Sequence, residues 1–183
     1  ARPTPYTLRF LPATGEEQSP FRLVFQHYWD KPDGSRSVVS CPMQVNKTFC
    51  GVCDRLKGLA MTGNPVDEKL AKKAQPKTRV YANVIDLENQ EAGPQVFAFG
   101  KTIYDALVAL RRNPHWGDFT DPENGYEIQI TVKGSGIDTE YTVNPIPQRT
   151  MIADFSWLDI KHDLNRFGTL LPPEEMERAL MSL

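Results

Sequence analysis

The feature that most constrains this chain is a set of four potential metal ligands, His27, Cys41, Cys50 and Cys53, which includes every cysteine among the 183 residues. The Cys50-x-x-Cys53 spacing lets a single tight turn present two sulfurs to one ion. Three thiolates and one imidazole complete a tetrahedral ligand set for zinc. The sequence therefore predicts one structural Zn²⁺ ion, with a loop that folds back so that His27 and Cys41 close the site.

Three other interpretations of these side chains remain open. A disulfide would leave one of the three thiols unpaired. A thioredoxin-like redox pair, or plain buried thiols, would leave Cys41 and His27 without a role. Catalytic zinc normally keeps one position open for water, whereas four protein ligands fill the coordination shell. Structural zinc is the interpretation that uses all four residues.

The distribution of charge favours a polyanionic partner. Between residues 36 and 85, nine basic and three acidic side chains give a net charge of +6. From residue 113 onward, five basic and twelve acidic side chains give −7, although the whole chain carries only −2. Such asymmetry is typical of a protein that binds a polyanion on one face. A solvated surface whose charges cluster only in sequence is the alternative.

Length and composition indicate an ordinary globular protein of one domain, or of one domain with a small satellite. Apolar residues make up 40% of the chain and charged residues 24%. No apolar run has the length of a membrane span, and the N-terminus lacks the features of a signal peptide. An odd number of cysteines in a metal-binding pattern points to a reducing compartment. Because the chain begins with Ala rather than Met, we expect a core from which tails were trimmed.

Hydrophobic periodicity predicts short strands separated by turns. The strands are expected at residues 6–12, 21–29, 37–40, 77–85, 95–99, 126–133 and 139–143. Two short helices are predicted between Cys53 and Pro76, a longer one from a Thr102 cap to about Arg112, and two near the C-terminus, at Ser156-x-x-Asp159 and after Pro173. The predicted fold class is mainly β (α+β). It consists of an OB-fold barrel over residues 1–183, with an inserted zinc-binding subdomain at about 27–75 and short C-terminal helices at about 154–183.

Basic residues alternate with aromatic ones, which is typical of proteins that bind single-stranded nucleic acid. In the strand at 77–85, Arg79, Tyr81 and Asn83 share one face, while Val80 and the residues in phase with it face the core. The candidate stacking surfaces are Tyr81, Phe97, Phe99, Tyr104 and Tyr141, with Tyr28 and Trp29 as weaker candidates. An aromatic residue at strand spacing is often a core residue, so a core position for Phe97 or Phe99 remains open.

Sequence signatures of enzymes are scarce. The chain contains no G-x-S-x-G, Walker, H-E-x-x-H or dinucleotide-binding motif. His115 and His162 have no obvious nucleophile nearby and are predicted to be surface residues. The carboxylates near Asp118 and Asp159 could hold a cation, but solvated acids are the more usual explanation. The chain is therefore predicted not to be an enzyme.

Four marks in order along the chain carry a family resemblance. They are Leu-Arg-Phe-Leu-Pro at 8–12 followed by Pro20-Phe21, the set His27, Cys41, Cys50 and Cys53, Lys-Thr-Arg-Val-Tyr-Ala-Asn-Val at 77–84, and Val-Phe-Ala-Phe-Gly-Lys-Thr-Ile-Tyr-Asp at 96–105. In this combination the chain resembles the zinc-containing single-stranded DNA-binding proteins of T-even-type phages, the helix-destabilising proteins of replication. The resemblance runs from about residue 6 to about residue 146.

This resemblance implies an OB fold whose zinc subdomain forms one wall of a basic cleft. Single-stranded DNA would lie there without sequence preference, during phage replication, recombination and repair in the cytoplasm of the infected bacterial host. By position, the cleft would be lined by Lys77, Arg79, Tyr81, Phe99, Lys101, Tyr104 and Tyr141. The zinc-fixed wall would carry Arg55, Lys57, Lys72 and Lys73. Further partners would be phage replication and recombination proteins, and no membrane is implied.

The chain also departs from the family pattern. Gln75 and Pro76 stand where cations are expected, and Ile137 stands where an aromatic residue would be natural. The family's basic N-terminal segment and its acidic tail are not found in this sequence, so cooperative binding and the tail's recruitment of those partners stay open for the chain as given. Two rival functions remain: a zinc-stabilised protein-interaction module without nucleic-acid binding, and a metal-dependent nuclease.

Overall fold

A computed structural model describes residues 5–13 and 19–183 of the chain. The strands are β1 (Tyr6–Phe10), β2 (Phe21–Asp30), β3 (Arg36–Ser40), β4 (Lys77–Asp86), β5 (Gln95–Gly100), β6 (Gly125–Lys133) and β7 (Glu140–Thr150). The α-helices are α1 (Pro42–Val45), α2 (Gly51–Ala60), α3 (Pro65–Lys73), α4 (Lys101–Arg112) and α5 (Pro173–Leu180). Short 3₁₀ helices occupy Gln90–Ala92, Gly136–Asp138, Phe155–Leu158 and Leu164–Arg166. The fold is mostly antiparallel sheet with a few helices, which confirms the predicted α+β class.

The described chain divides into two compact units. The first contains the described residues up to Arg22 together with Val80–Leu164, and the second contains Leu23–Arg79 and Asn165–Leu183. Strands β2 and β4 each begin in one unit and end in the other. Residues 27–75, the predicted zinc subdomain, fall within the second unit. Residues 154–183, the predicted helical tail, are divided between the two units.

In the first unit the strands follow the order β4-β1-β6-β7, and β5 also pairs with β4. β1 is antiparallel to both neighbours, with Leu8 opposite Asp86 on one side and opposite Ile128 on the other. The inward face of β4 carries Val80 and Ala82 into the main core, as the alternation predicts. Burying a valine side chain such as Val80 contributes roughly 1.5–3 kcal/mol, so this face helps to fix the register of the strand.

A buried arginine ties the loops of this unit together. Arg9 lies on β1, and its guanidinium donates hydrogen bonds to the backbone carbonyl oxygens of Phe119 (2.7 Å) and Tyr126 (2.9 Å). It also donates to the carbonyl oxygens of Asp121 and Thr150, which lie 112 and 141 residues away in sequence. A side chain at Gly125 would collide with this guanidinium, so the position requires glycine. The sequence gives no sign of this role, because a basic residue in an alternating strand is usually exposed.

The loop after α4 is fixed by a second set of polar contacts. Arg111 donates to the Asp118 carboxylate at 2.9 Å, and the backbone N–H and hydroxyl of Thr120 donate to it at 2.9 and 2.7 Å. Burial opposes ionisation of Asp118, but these hydrogen bonds and the nearby positive charge outweigh it, so the pKa of the carboxyl falls below its usual value. The ionised carboxylate therefore stabilises the folded state.

The second unit is built on the hairpin of β2 and β3. Trp29 pairs with Ser37 across the hairpin, and Gly34 takes a positive φ of 80° in the predicted turn. Helices α2 and α3 pack against each other, and α5 packs against α2 and β3. Asn64 caps α3 by accepting a hydrogen bond from the backbone N–H of Val66 at 2.9 Å. The core of this unit contains Trp29, Val39, Val52, Leu56, Ala74 and the predicted metal ligands Cys41 and Cys50.

Several predicted boundaries are wrong. α4 begins at Lys101 with Gly100 at its N-cap, so Thr102 is not the cap. At the tail it is Asp154 that accepts from the backbone N–H of Ser156, and only a 3₁₀ turn follows. β7 continues to Thr150, well past residue 143, because a strand at the end of the sheet order tolerates the prolines within it. The short helix after Pro173 is confirmed. None of the helices in the described part of the chain has the length and apolar character needed to cross a bilayer.

Candidate metal centre and nucleic-acid surface

The four predicted ligands converge in the second unit. His27 lies on β2, Cys41 precedes α1, Cys50 is the N-cap of α2, and Cys53 lies in the first turn of that helix. One ligand atom from each of them lies within 4.8 Å of all the others. His27, Cys41 and Cys50 are buried, and Cys53 is partly buried. This convergence confirms the prediction that the four residues form one group able to bind a single metal ion.

The start of α2 delivers two of the sulfurs. The Cys50 sulfur accepts a hydrogen bond from the backbone N–H of Cys53 at 3.5 Å, so the cysteine itself caps the helix. The helix therefore begins at Gly51, earlier than the sequence predicts. The positive end of the helix dipole also favours thiolates at this position. The Cys-x-x-Cys spacing thus provides both the helix start and two ligands.

The orientation of the His27 ring is set by α3. His27 Nδ1 lies 2.8 Å from the carbonyl oxygen of Ala74, the residue that ends that helix. A carbonyl oxygen can only accept, so Nδ1 carries the proton and Nε2 offers its lone pair. Nε2 lies 3.5 Å from the Cys50 sulfur and 3.6 Å from that of Cys53. A hydrogen bond of this kind on the outer nitrogen is a common support for metal-binding histidines.

The separations between ligand atoms fit a tetrahedral ion. Zinc bonds of about 2.3 Å to sulfur and about 2.0 Å to nitrogen imply roughly 3.8 Å between two sulfurs and roughly 3.5 Å between sulfur and nitrogen. The Cys41 and Cys53 sulfurs are 3.6 Å apart, and the two nitrogen–sulfur distances are 3.5 and 3.6 Å. One ion of this size therefore fits among the four atoms with small adjustments. Three sulfurs and one nitrogen leave no open position, which suits a structural role.

Burial favours the neutral forms of Cys41, Cys53 and His27. It raises the pKa of the Cys41 thiol and raises the pKa of Cys53 to about 12, so both sulfurs would stay protonated on their own. It also lowers the pKa of His27, which favours the neutral imidazole that metals bind. A divalent cation at the centre would reverse the preference of the sulfurs, because its charge stabilises buried thiolates.

The cationic residues predicted to contact nucleic acid in the second unit lie on short elements around the metal centre. They are Arg55 and Lys57 on α2, Lys72 and Lys73 on α3, and Lys77 and Arg79 at the start of β4. All are exposed except Arg79, which is half-buried. Lys73 forms an ion pair with Asp30. Exposed pairs of this kind contribute only about 0–1 kcal/mol, so the ammonium can turn to a phosphate at little cost.

The remaining predicted contacts belong to the first unit. They are Tyr81 on β4, Phe99 on β5, Lys101 and Tyr104 on α4, and Tyr141 on β7. The Tyr141 side chain is 42% exposed, whereas Tyr81 and Tyr104 are half-buried. Lys101 is exposed and pairs with Asp105 one turn along its helix. Of these positions, Tyr81, Lys101, Tyr104 and Tyr141 stay predicted contacts.

Two predicted stacking surfaces are contradicted by their burial. Phe99 is 2% exposed, and its ring packs edge-on against Phe10 and Phe21 at centroid distances of 6.2 and 6.1 Å. It belongs to the core, because the alternation that predicts β5 turns this ring inward. Trp29 is 1% exposed, and its indole N–H donates to the carbonyl oxygen of Ser182 at 3.1 Å. Phe99 can still support the surface, since Phe21 also packs against the Tyr104 ring at 5.6 Å.

Asn83 and His162 have a structural role that the sequence did not indicate. Asn83 is buried, although the alternation places it on the face of Tyr81. Its amide donates to the carbonyl oxygen of His162 at 2.9 Å and accepts from the backbone N–H of that residue at 3.0 Å. The His162 ring donates to the carbonyl oxygen of Pro94 at 2.9 Å, so it is not the free surface histidine that was predicted. The position of Asn83 between Ala82 and Val84 is the one hint in the sequence. A polar side chain buried at such a position normally has a hydrogen-bond partner.

A comparison with known families agrees with the sequence motifs. A family model described as "gp32 DNA binding protein like" matches residues 5–180, nearly the whole chain. No curated protein matches the chain significantly. The family match confirms the resemblance that the four sequence marks carry.

Proposed function

Because the chain belongs to the gp32 DNA binding protein like family, we propose that it binds single-stranded DNA without sequence preference, in a basic aromatic cleft of an OB fold. Its role would be to protect unpaired strands during phage DNA replication, recombination and repair in the infected bacterial host, alongside phage replication and recombination proteins. The observation that carries the proposal is the family match over residues 5–180. The exposed cations and half-exposed tyrosines supply the chemistry that such binding needs.

The metal ligands anchor both helices that carry the basic residues of the second unit. Cys50 is the N-cap of α2, and this helix presents Arg55 and Lys57 within its first two turns. α3 presents Lys72 and Lys73 in its last turn, directly before Ala74, whose carbonyl oxygen holds His27. One zinc ion bound to the four ligands would therefore fix the start of one helix and the end of the other. These cations would then stand at defined positions, ready to contact phosphates.

Aromatic rings would supply the affinity that does not depend on sequence. Any base offers a flat face, and stacking on one aromatic side chain is worth roughly 1–3 kcal/mol. Tyr81, Tyr104 and Tyr141 retain exposed surface in the first unit. Lysine and arginine contacts to phosphates add an electrostatic component that weakens as the salt concentration rises.

Fluorescence titration with oligo(dT) tests this proposal. The zinc-loaded protein should lose tyrosine and tryptophan fluorescence on binding, and added salt should reverse the loss. Oligo(dA) and mixed sequences should bind with similar affinity, and the matching duplex more weakly. An unchanged spectrum with every single strand in dilute buffer would refute the proposed function.

A second candidate, a zinc-stabilised protein-interaction module, is favoured by one surface of the second unit. A cavity of about 770 Å³ is lined largely by apolar residues, among them Phe49, Met176, Leu180 and Met181. Phe49 is 73% exposed and Met181 is 86% exposed. Contiguous exposed apolar surface often marks an interaction site. Failure of oligo(dT) to bind the zinc-loaded protein would favour this candidate.

The metal-dependent nuclease has less support. Within residues 5–13 and 19–183, the set of His27 and the three cysteines is the one group of three or more potential ligands that converges. Incubation of labelled single strands with the protein and Mg²⁺ tests the possibility directly. Strands that stay intact would count against a nuclease.

A further inference from the structure

The first unit contains a small cavity that none of the predicted contacts lines. Its volume is about 210 Å³, and its walls are formed by His115, Trp116, Tyr126, Pro147 and Arg149. Pockets for drug-sized ligands are typically about 300–1,000 Å³. A cavity of this size therefore suits a single planar ring system rather than a larger molecule.

Three aromatic rings, joined by two successive contacts, shape this cavity. The His115 and Trp116 rings are perpendicular with centroids 5.2 Å apart, and the Trp116 and Tyr126 rings are tilted at 5.4 Å. His115 is exposed, Trp116 is half-buried and Tyr126 is buried, so exposure falls along this series of rings. Aromatic and proline walls accept the face or edge of another flat ring.

Arg149 gives the cavity a fixed positive charge. Its guanidinium donates to the carbonyl oxygens of Asn124 at 2.6 Å and Trp116 at 3.2 Å. A guanidinium carries five N–H donors. The two hydrogen bonds to carbonyl oxygens therefore leave other donors of Arg149 available. Among the ion pairs found between described residues, none involves Arg149. A guanidinium held in this way can bind a phosphate.

The cavity is held in shape before any ligand arrives. Arg9 binds the carbonyl oxygens of Tyr126 and Thr150, which are a lining residue and the neighbour of Arg149. A preformed site loses less conformational entropy on binding. The cavity also shares a continuous aromatic core with Tyr104. Successive ring contacts join Tyr104, Phe21, Phe119, Tyr126, Trp116 and His115.

We propose that this cavity binds one nucleotide, with the base against the rings of Trp116 and His115 and a phosphate on Arg149. The inference rests on the proposed function, because a bound single strand is then the source of the nucleotide. A free nucleotide has the same chemistry and is the other source. The site would add a base contact that the positions predicted from sequence do not include.

The indole N–H signals in nitrogen–proton NMR spectra test this assignment. The chain has three tryptophans, and Trp116→Phe identifies the signal of interest. Oligo(dT) should shift the Trp116 signal, while the signal of buried Trp29 should stay in place. Addition of dTMP alone asks whether a free nucleotide occupies the same cavity.

Two variants measure how much the cavity contributes to oligo(dT) affinity. His115→Ala removes an exposed wall and should weaken oligo(dT) binding by about five-fold or more, the lower end of one stacking contact. Arg149→Gln should also reduce the salt dependence, by roughly 0.7 in the slope of log affinity against log salt. Phe155→Ala removes an exposed ring of the same unit that does not line the cavity, and it should bind as the unaltered protein does.

The outcomes separate this inference from the proposed function. A Trp116 shift with oligo(dT) supports a strand-bound base, and a shift with dTMP alone supports a free nucleotide. If oligo(dT) binds but the Trp116 signal does not move, the cavity assignment is overturned and the proposed function stands. If neither ligand binds, both are overturned.

Discussion

Replacement of one metal ligand tests the structural role of the ion. Cys50→Ser changes little in volume at a position that is 1% exposed, and it removes one of three sulfurs. A buried hydroxyl without a partner costs about 1–3 kcal/mol on its own. Structural zinc contributes far more in small zinc domains, on the order of 10 kcal/mol at neutral pH. Since natural domains are stable by only about 5–15 kcal/mol, the second unit should lose its ordered structure.

The loss of ordered structure in Cys50→Ser should be confined largely to the second unit. Metal analysis should fall from one zinc per chain to well below one, and the melting temperature should drop to that of chelator-treated protein. Hydrogen exchange should accelerate in α2 and α3, while strands of the first unit such as β6 keep more of their protection.

A matched control separates metal loss from ordinary core damage. Val39→Ala lies in the same core cluster but is not a ligand. The Val39→Ala variant should lose about 1–3 kcal/mol of its free energy of unfolding, because less apolar surface is buried, and it should still bind one zinc. If Cys50→Ser retains full zinc and the original melting temperature, the assignment of the four ligands is wrong.

The remaining predictions concern single positions. Tyr81→Ala should weaken single-strand binding by roughly 1–3 kcal/mol in a fluorescence titration, with Phe155→Ala unchanged; equal affinities would remove Tyr81 from the surface. Lys77→Ala should lower the salt slope by roughly 0.7, whereas Arg178→Ala should not, and an unaltered slope would exclude a phosphate contact at Lys77. Asp118→Asn should reduce the free energy of unfolding above pH 3.8, the ordinary aspartate pKa, because the folded-state pKa is lowered. That difference should disappear as the pH falls through the lower folded-state value, and denaturant titrations showing a constant difference would contradict it.

The group of four potential metal ligands was predictable because two of its members stand three residues apart in the sequence. The Cys50-x-x-Cys53 spacing predicts two ligands. Cys41 is the one remaining cysteine and His27 is the histidine nearest to it in sequence, so these two residues complete the predicted set. The core face of β4 was predictable for a similar reason, since strict alternation separates Val80 from Tyr81. In both cases, residues close together in the sequence are enough to make the prediction.

The features that the sequence does not predict occur where distant parts of the chain meet. Arg9 alternates like an exposed residue, yet the carbonyl oxygens that receive it lie more than a hundred residues away. Asn83 likewise depends on His162, a partner 79 residues along the chain. Phe99 and Tyr81 look alike as aromatic residues in short strands, and only the packing against Phe10 and Phe21 assigns Phe99 to the core. Periodicity identifies the two faces of a strand, but the tertiary fold decides which of them is covered.

The most direct test combines metal analysis with an oligo(dT) titration of the same protein sample. We predict one zinc per chain and salt-sensitive binding, and we predict that removal of zinc weakens binding and that its return restores it. A purified chain that holds no metal and shows no response to oligo(dT) in dilute buffer would contradict both the structural and the functional account.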